Sequence, residues 1–104
     1  FYDCKLDQAN FRSASGERVV FGRCPMSGAD FAMAKLKQAT FVDSDLSASE
    51  FSKADLTGAR FTGVRLDSAR GFASLRNITV DRSVALAIAT MLLAEHGISV
   101  DDDS

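Results

Sequence analysis

The chain has 104 residues, of which 46% are hydrophobic and 25% charged, the composition of one soluble globular domain and not of a disordered or collagen-like chain. Twelve basic against fourteen acidic side chains leave a net charge of −2, which argues against direct nucleic-acid binding, where a basic surface is wanted. Cys4 and Cys24 are too few for a disulfide scaffold, and with no signal peptide and no apolar run of about 18 residues the chain is expected in the cytoplasm, away from membranes.

The first element begins at once. Reading every fifth residue from Phe1 gives Phe1, Leu6, Phe11, Gly16, Phe21, Met26, Phe31, Leu36, Phe41, Leu46, Phe51, Leu56, Phe61 and Leu66. Only Gly16 is not large and apolar, and seven of the eight Phe fall in this phase. Two residues before each stands a small side chain: Cys4, Ala9, Ala14, Val19, Cys24, Ala29, Ala34, Ala39, Ser44, Ser49, Ala54, Ala59, Val64 and Ala69. A helix needs apolar spacing near 3.6 and a strand needs 2, so a period of five fits neither. Spacing i−2 and i is extended locally, and the chain must then turn to bring the next pair to the same interior. That predicts a solenoid. Phe and Leu alternate, so four pentads to a twenty-residue coil stack like on like: Phe1, Phe21, Phe41 and Phe61 in one column, Phe11, Phe31 and Phe51 opposite. The small residue follows from native packing density in a narrow interior. The sequence opens inside a repeat, so further coils are expected upstream of Phe1. Gly16 is expected to leave a looser corner or a small defect, and the missing N–H of Pro25 is tolerable at a turn but would weaken a ladder.

The repeat fades after Ala69, giving a solenoid over residues 1–71 and a cap with a dimerisation helix over 72–104. Phe72, Leu75, Ile78 and Val80 are apolar but out of phase and are expected to close the open end. Asp81 is the expected N-cap of a helix that stops at Gly97. From Val84 to Ala94 only Thr90 is not apolar. A helix apolar all round needs cover on more than one side, and the end of a narrow solenoid covers only one. The reading is a homodimer through Val84, Ile88, Met91, Leu92, Ile98 and Val100; a helix that merely caps a monomer is the alternative. Asp101, Asp102 and Asp103 read as a solvated tail.

No catalytic constellation, metal cluster or cofactor motif stands out. His96 is the sole histidine and reads as a last-turn residue favourable to the helix terminus. Cys4 and Cys24 share a column at about 4.8 Å, within disulfide range. They point inward in parallel, however, and a cytoplasm keeps thiols reduced, so they read as small core fillers. Gly28, Gly58 and Gly63 recur at one phase as turn residues. The one surface feature with a functional reading is acidic: Asp30 and Glu50 on one face, Asp45 and Asp55 on the adjoining faces, and Asp43 nearby. Carboxylates at regular spacing along a rod can imitate the phosphates of duplex DNA. Against this, residues 1–71 carry ten Lys or Arg and nine Asp or Glu, and a solvated mixed surface accounts for that equally well.

Ala9-Asn10-Phe11, Ala29-Asp30-Phe31, Ala54-Asp55-Leu56-Thr57-Gly58 and Ala59-Arg60-Phe61-Thr62-Gly63 resemble the repeat of the pentapeptide-repeat family. The resemblance implies a right-handed quadrilateral β-helix, and with no site for chemistry in the sequence the chain is expected to be non-enzymatic. The C-terminal helix resembles that of the family's quinolone-resistance members. That likeness implies end-to-end dimers that mimic DNA and bind DNA gyrase and topoisomerase IV, with Asp30, Asp43, Asp45, Glu50 and Asp55 as partner-binding residues. The alternative is a structural or protein-interaction module with a partner unrelated to topoisomerases.

Overall fold

The structure, a computed structural model, describes residues 1–72 and 75–99. Its unit is a corner. In the tightest corners the central apolar residue accepts a hydrogen bond through its carbonyl from the N–H three residues on, as in Ala9 to Leu6 (3.0 Å), Ala29 to Met26 (3.1 Å) and Ala59 to Leu56 (2.8 Å). The residue before the donor is left-handed, the signature of a type II turn. The same left-handed residue follows every one of the fourteen central positions, from Asp3 (φ 55°) to Ser68 (φ 61°), and only Gly28, Gly58 and Gly63 among them are glycine. The others include Gln8, Arg18, Met33, Ala48 and Lys53. None is β-branched, aromatic or proline, the types least able to enter that region.

Each circuit pairs with the next in parallel, twenty residues on. β1 (Ser15–Glu17) pairs with β3 (Lys35–Lys37), Gly16 opposite Leu36. β2 (Val20–Gly22) pairs with β4 (Thr40–Val42), and β4 with β5 (Arg60–Thr62), so Phe21, Phe41 and Phe61 are in register. Isolated rungs continue the same offset on the other sides: Asn10 to Asp30 to Glu50 to Arg70, Pro25 to Asp45 to Arg65, and Lys35 to Asp55. Four ladders five residues apart, each with twenty-residue rungs, make a β-solenoid. Pro25 behaves as its chemistry requires. Its carbonyl accepts from Leu6 N–H (2.7 Å), but no rung joins it to Lys5, because it has no N–H to return. Gly16 corrects the expectation of a loose corner. It lies inside a regular strand, where a Cβ would meet Val19 Cγ2 at 3.3 Å and Leu36 Cδ2 at 3.7 Å. Val19, large for its phase, already fills the space a bigger residue 16 would need.

The interior is two Phe stacks at right angles. Phe1, Phe21, Phe41 and Phe61 stack at centroid distances of 5.1, 4.9 and 4.7 Å, and Phe11, Phe31 and Phe51 at 5.0 and 5.1 Å. The stacks meet edge to face, as Phe21 does with Phe31 (5.9 Å, 86°). Both arrangements suit the ring quadrupole, at roughly 0.5–1.5 kcal/mol per pair beyond burial. Phe31, Phe41, Phe51 and Phe61 are wholly buried, and so are Ala29, Ala34, Ala39, Ala59 and Ser49 at the small positions. Buried hydroxyls are satisfied locally: Ser44 donates to the Val42 carbonyl (3.0 Å) and accepts from Cys24 N–H (3.1 Å).

The circuit shortens where the repeat ends. β6 (Thr79–Val80) pairs with β5 at an offset of nineteen, Val80 opposite Phe61. The residues released from phase close the end, as expected. Phe72 is buried with its edge against Phe51 (5.4 Å) and Phe61 (4.9 Å), and Leu75 is buried beside it. Asp81 then caps α1 (Arg82–Glu95) by accepting from Val84 N–H at 2.9 Å. The same carboxylate accepts from Gly63 N–H (2.7 Å) and Ser83 hydroxyl (2.9 Å), which pins the helix start to the last full circuit. All these bonds favour the charged form, Val84 N–H most, so the Asp81 carboxyl titrates below its usual range. Val84 is wholly buried, and Ala87, Ile88 and Met91 pack on the same core. Gly97 follows the C-cap His96 in a left-handed conformation, as a helix stop requires.

Candidate interaction surfaces

The sequence-predicted acidic residues lie where expected but are already employed. The four acids that precede a central position each accept, across their own corner, from the N–H two residues on: Asp30 from Ala32 (2.9 Å), Asp45 from Ser47 (3.0 Å), Glu50 from Ser52 (2.9 Å) and Asp55 from Thr57 (3.2 Å). Asn10 does the same with Arg12 (2.9 Å) without a charge. These are Asx-type turns, and they account for the acids and Asn at this phase. Hydroxyls two residues on reinforce the grip: Thr57 donates to Asp55 (2.7 Å) and Ser52 to Glu50. Hydrogen bonds from Ser47 hold the Asp45 carboxyl below its usual range, aided by nearby Arg65, and those from Thr57 do the same to Asp55. Asp43 instead occupies a left-handed corner (φ 52°), its carboxylate over Gly63.

Register also brings opposite charges together. Asp45 pairs along the ladder with Arg65, Glu50 with Arg70 and Lys35 with Asp55. At one corner Arg23 grips Asp3 with two hydrogen bonds (2.8 and 3.0 Å), lowering the Asp3 pKa, and Arg12 sits 3.5 Å from Asp30. Asp30 beside Glu50 is the one like-charged rung among the isolated bridges of the described residues. Three of the fourteen acids are Asp101, Asp102 and Asp103, outside the described residues. The described part therefore carries twelve basic against eleven acidic side chains, one net positive charge. The circuit from 41 to 60 holds four acids, Asp43, Asp45, Glu50 and Asp55, and in the next circuit Arg65 and Arg70 hold the places of Asp45 and Glu50.

The second surface is the outer side of α1. Val84, Ile88 and Met91, expected at a dimer interface, face the solenoid end instead. Val84 is removed from any interface by complete burial within its own chain, and Ile88 and Met91 are partly covered there. Residues 84, 87, 88 and 91 share one helical stripe, and the end of the solenoid takes that stripe. Leu86, 65% exposed, Leu92, 40%, and Ile98, 51%, lie outside it, with the exposed Ala85 and Ala89. Val100 lies outside the described residues. Sequence reasoning missed Leu86, although a helical wheel anchored on Asp81 and Val84 would have put it opposite the core.

Cys4 is half-buried and Cys24 buried, both free; each thiol donates to the carbonyl two residues back, Tyr2 and Gly22, at 3.3 Å. His96 serves through its backbone, its N–H closing on the carbonyl of Leu93 at 3.0 Å. A groove of about 300 Å³ lined by Ser15, Gly16, Glu17, Lys35 and Lys37 opens on solvent without convergent acid–base groups. Among the described residues no three His, Cys, Asp or Glu gather as for a metal ion, and no helix is long and apolar enough to cross a membrane.

Comparison with known proteins agrees with the repeat. A solved pentapeptide repeat protein, Rfr23 from the cyanobacterium Cyanothece 51142, is 18% identical over 78% of this chain and 59% of its own, with a TM-score of 0.36. Full-length QnrB1, a plasmid-mediated fluoroquinolone resistance protein, is 24% identical over 88% of this chain and 67% of its own, at 0.33. A pentapeptide repeat protein of the Arabidopsis thaliana thylakoid lumen is 16% identical over 81% and 66%, at 0.35. The chain thus spans about three-fifths of the cyanobacterial protein, and at these scores none of the three likenesses bears on activity. No curated protein matches. The family model of the pentapeptide repeat region matches residues 1–70, and the chain belongs to the pentapeptide-repeat family.

Proposed function

We propose that this is a non-enzymatic interaction module, a right-handed quadrilateral β-helix that self-associates through the outer side of its C-terminal helix. The observation that carries the reading is the exposure of Leu86 and Leu92 on the helix and Ile98 just after it, while the stripe through Val84, Ala87, Ile88 and Met91 packs on the solenoid core. Such an apolar side, next to Ala85 and Ala89, is suited to close packing against a second copy. Light scattering on the purified chain tests it. A dimer is expected, and Leu86→Arg or Leu92→Arg should release monomers with unchanged circular dichroism. A wild-type monomer at high micromolar concentration would overturn the reading.

A finer reading, in which the module mimics DNA and binds DNA gyrase or topoisomerase IV, is favoured by the Asp30–Glu50 rung and by the acid collected in the circuit from Asp43 to Asp55. It predicts inhibition of gyrase supercoiling, or relief of fluoroquinolone-induced cleavage, at low micromolar protein. Asp30→Asn with Glu50→Gln should weaken that effect while keeping both turns closed, because amide oxygens accept as carboxylates do. No effect of the intact dimer on either reaction would leave an interaction module with a partner unrelated to topoisomerases.

A further inference from the structure

We draw no further inference here: the strongest candidate, the outward side of the sheet β2–β4–β5–β6, where Tyr2, Val20, Thr40, Val42 and Thr62 form a patch with no charge but Arg60 at its edge, is an unpartnered face on which nothing in the structure shows what covers it.

Discussion

Residues 1–72 and the helix Arg82–Glu95 are both rich in apolar side chains, yet they dispose of them in opposite ways. In the solenoid Met26, Phe31, Leu46 and Phe51 are completely buried; in the helix Leu86 is 65% exposed. The difference is one of period. Every fifth residue of the repeat returns to the same interior, so each added Phe or Leu is buried by the circuits beside it. A helix distributes consecutive apolar residues around its whole circumference, and the solenoid end covers only the stripe through Val84, Ala87, Ile88 and Met91. Burial is decided by the match between apolar period and chain geometry, not by apolar content.

The most damaging way to break the repeat is to charge its centre. Phe41 stacks on Phe21 and Phe61 and is wholly buried. Phe41→Asp should abolish the fold, because an unpaired carboxylate there has neither partner nor water. Loss of the far-ultraviolet strand signal and of the soluble protein is the expected readout; a stable, strand-rich variant would sink the stacked-column account. Gly16→Leu probes the same interior by overfilling it and should cost about 1–3 kcal/mol in urea titration. Adding Val19→Ala should recover most of that loss, since Val19 occupies the contested space. Recovery no greater than additivity predicts would show that the two residues do not share a cavity.

The two sides of the helix are separated by a paired comparison. Val84→Ala should cost about 2 kcal/mol of chain stability through lost burial and a residual cavity. Leu86→Ala should change it by less than about 0.5 kcal/mol when measured on monomers. Equal costs would mean that the outer side is covered within one chain. A smaller effect is expected from pH. The folded-state pKa of Asp81 is depressed, so its contribution is complete above the unfolded carboxyl value near 3.9 and is lost as pH falls through the lower folded value. Acid titration of helix content should show this loss, and Asp81→Asn should flatten it. Ala48→Gly is the gentlest test. Ala48 holds φ 58° with a side chain that disfavours it, and relief of roughly 1 kcal/mol is offset by the greater unfolded-state freedom of glycine. The melting temperature should hold or rise slightly; a clear fall would mean the alanine methyl is used for packing.

Much of the solenoid was legible because its code is long and redundant. Fourteen pentads declare the columns, the twenty-residue offset and the Phe stacks before any coordinate is known. Asp81 and Gly97 are equally local signals, and the helix begins and ends at them. What escaped depends on backbone torsion or on three-dimensional competition for space. Arg18, Met33 and Lys53 do not look like left-handed residues, since tertiary pairing imposes what glycine would adopt freely. Gly16 looked like a defect because its partner Val19 stands in another phase. The nineteen-residue closing circuit has no signal beyond the fading of the repeat. In the candidate site Asp30, Asp45, Glu50 and Asp55 each precede a central position, and their first engagement is with their own corners. Ser47, Ser52 and Thr57, each two residues on, were a visible hint of that role. Val84, Ile88 and Met91, expected at a dimer interface, pack on the solenoid core instead, because hydropathy alone does not orient a helix that is apolar all round.

The twenty-residue register also governs which length changes the molecule can survive. Inserting or deleting one residue within the repeat would move every later column out of the interior. Five residues would keep the apolar phase but rotate the rest of the chain onto the neighbouring side, placing Leu upon Phe. Only a complete circuit leaves all four apolar columns and the docking of the cap unchanged. Duplication and loss of genetic material in units of sixty nucleotides is therefore the step by which such a rod can lengthen or shorten while its cross-section, and the end on which α1 rests, stay the same.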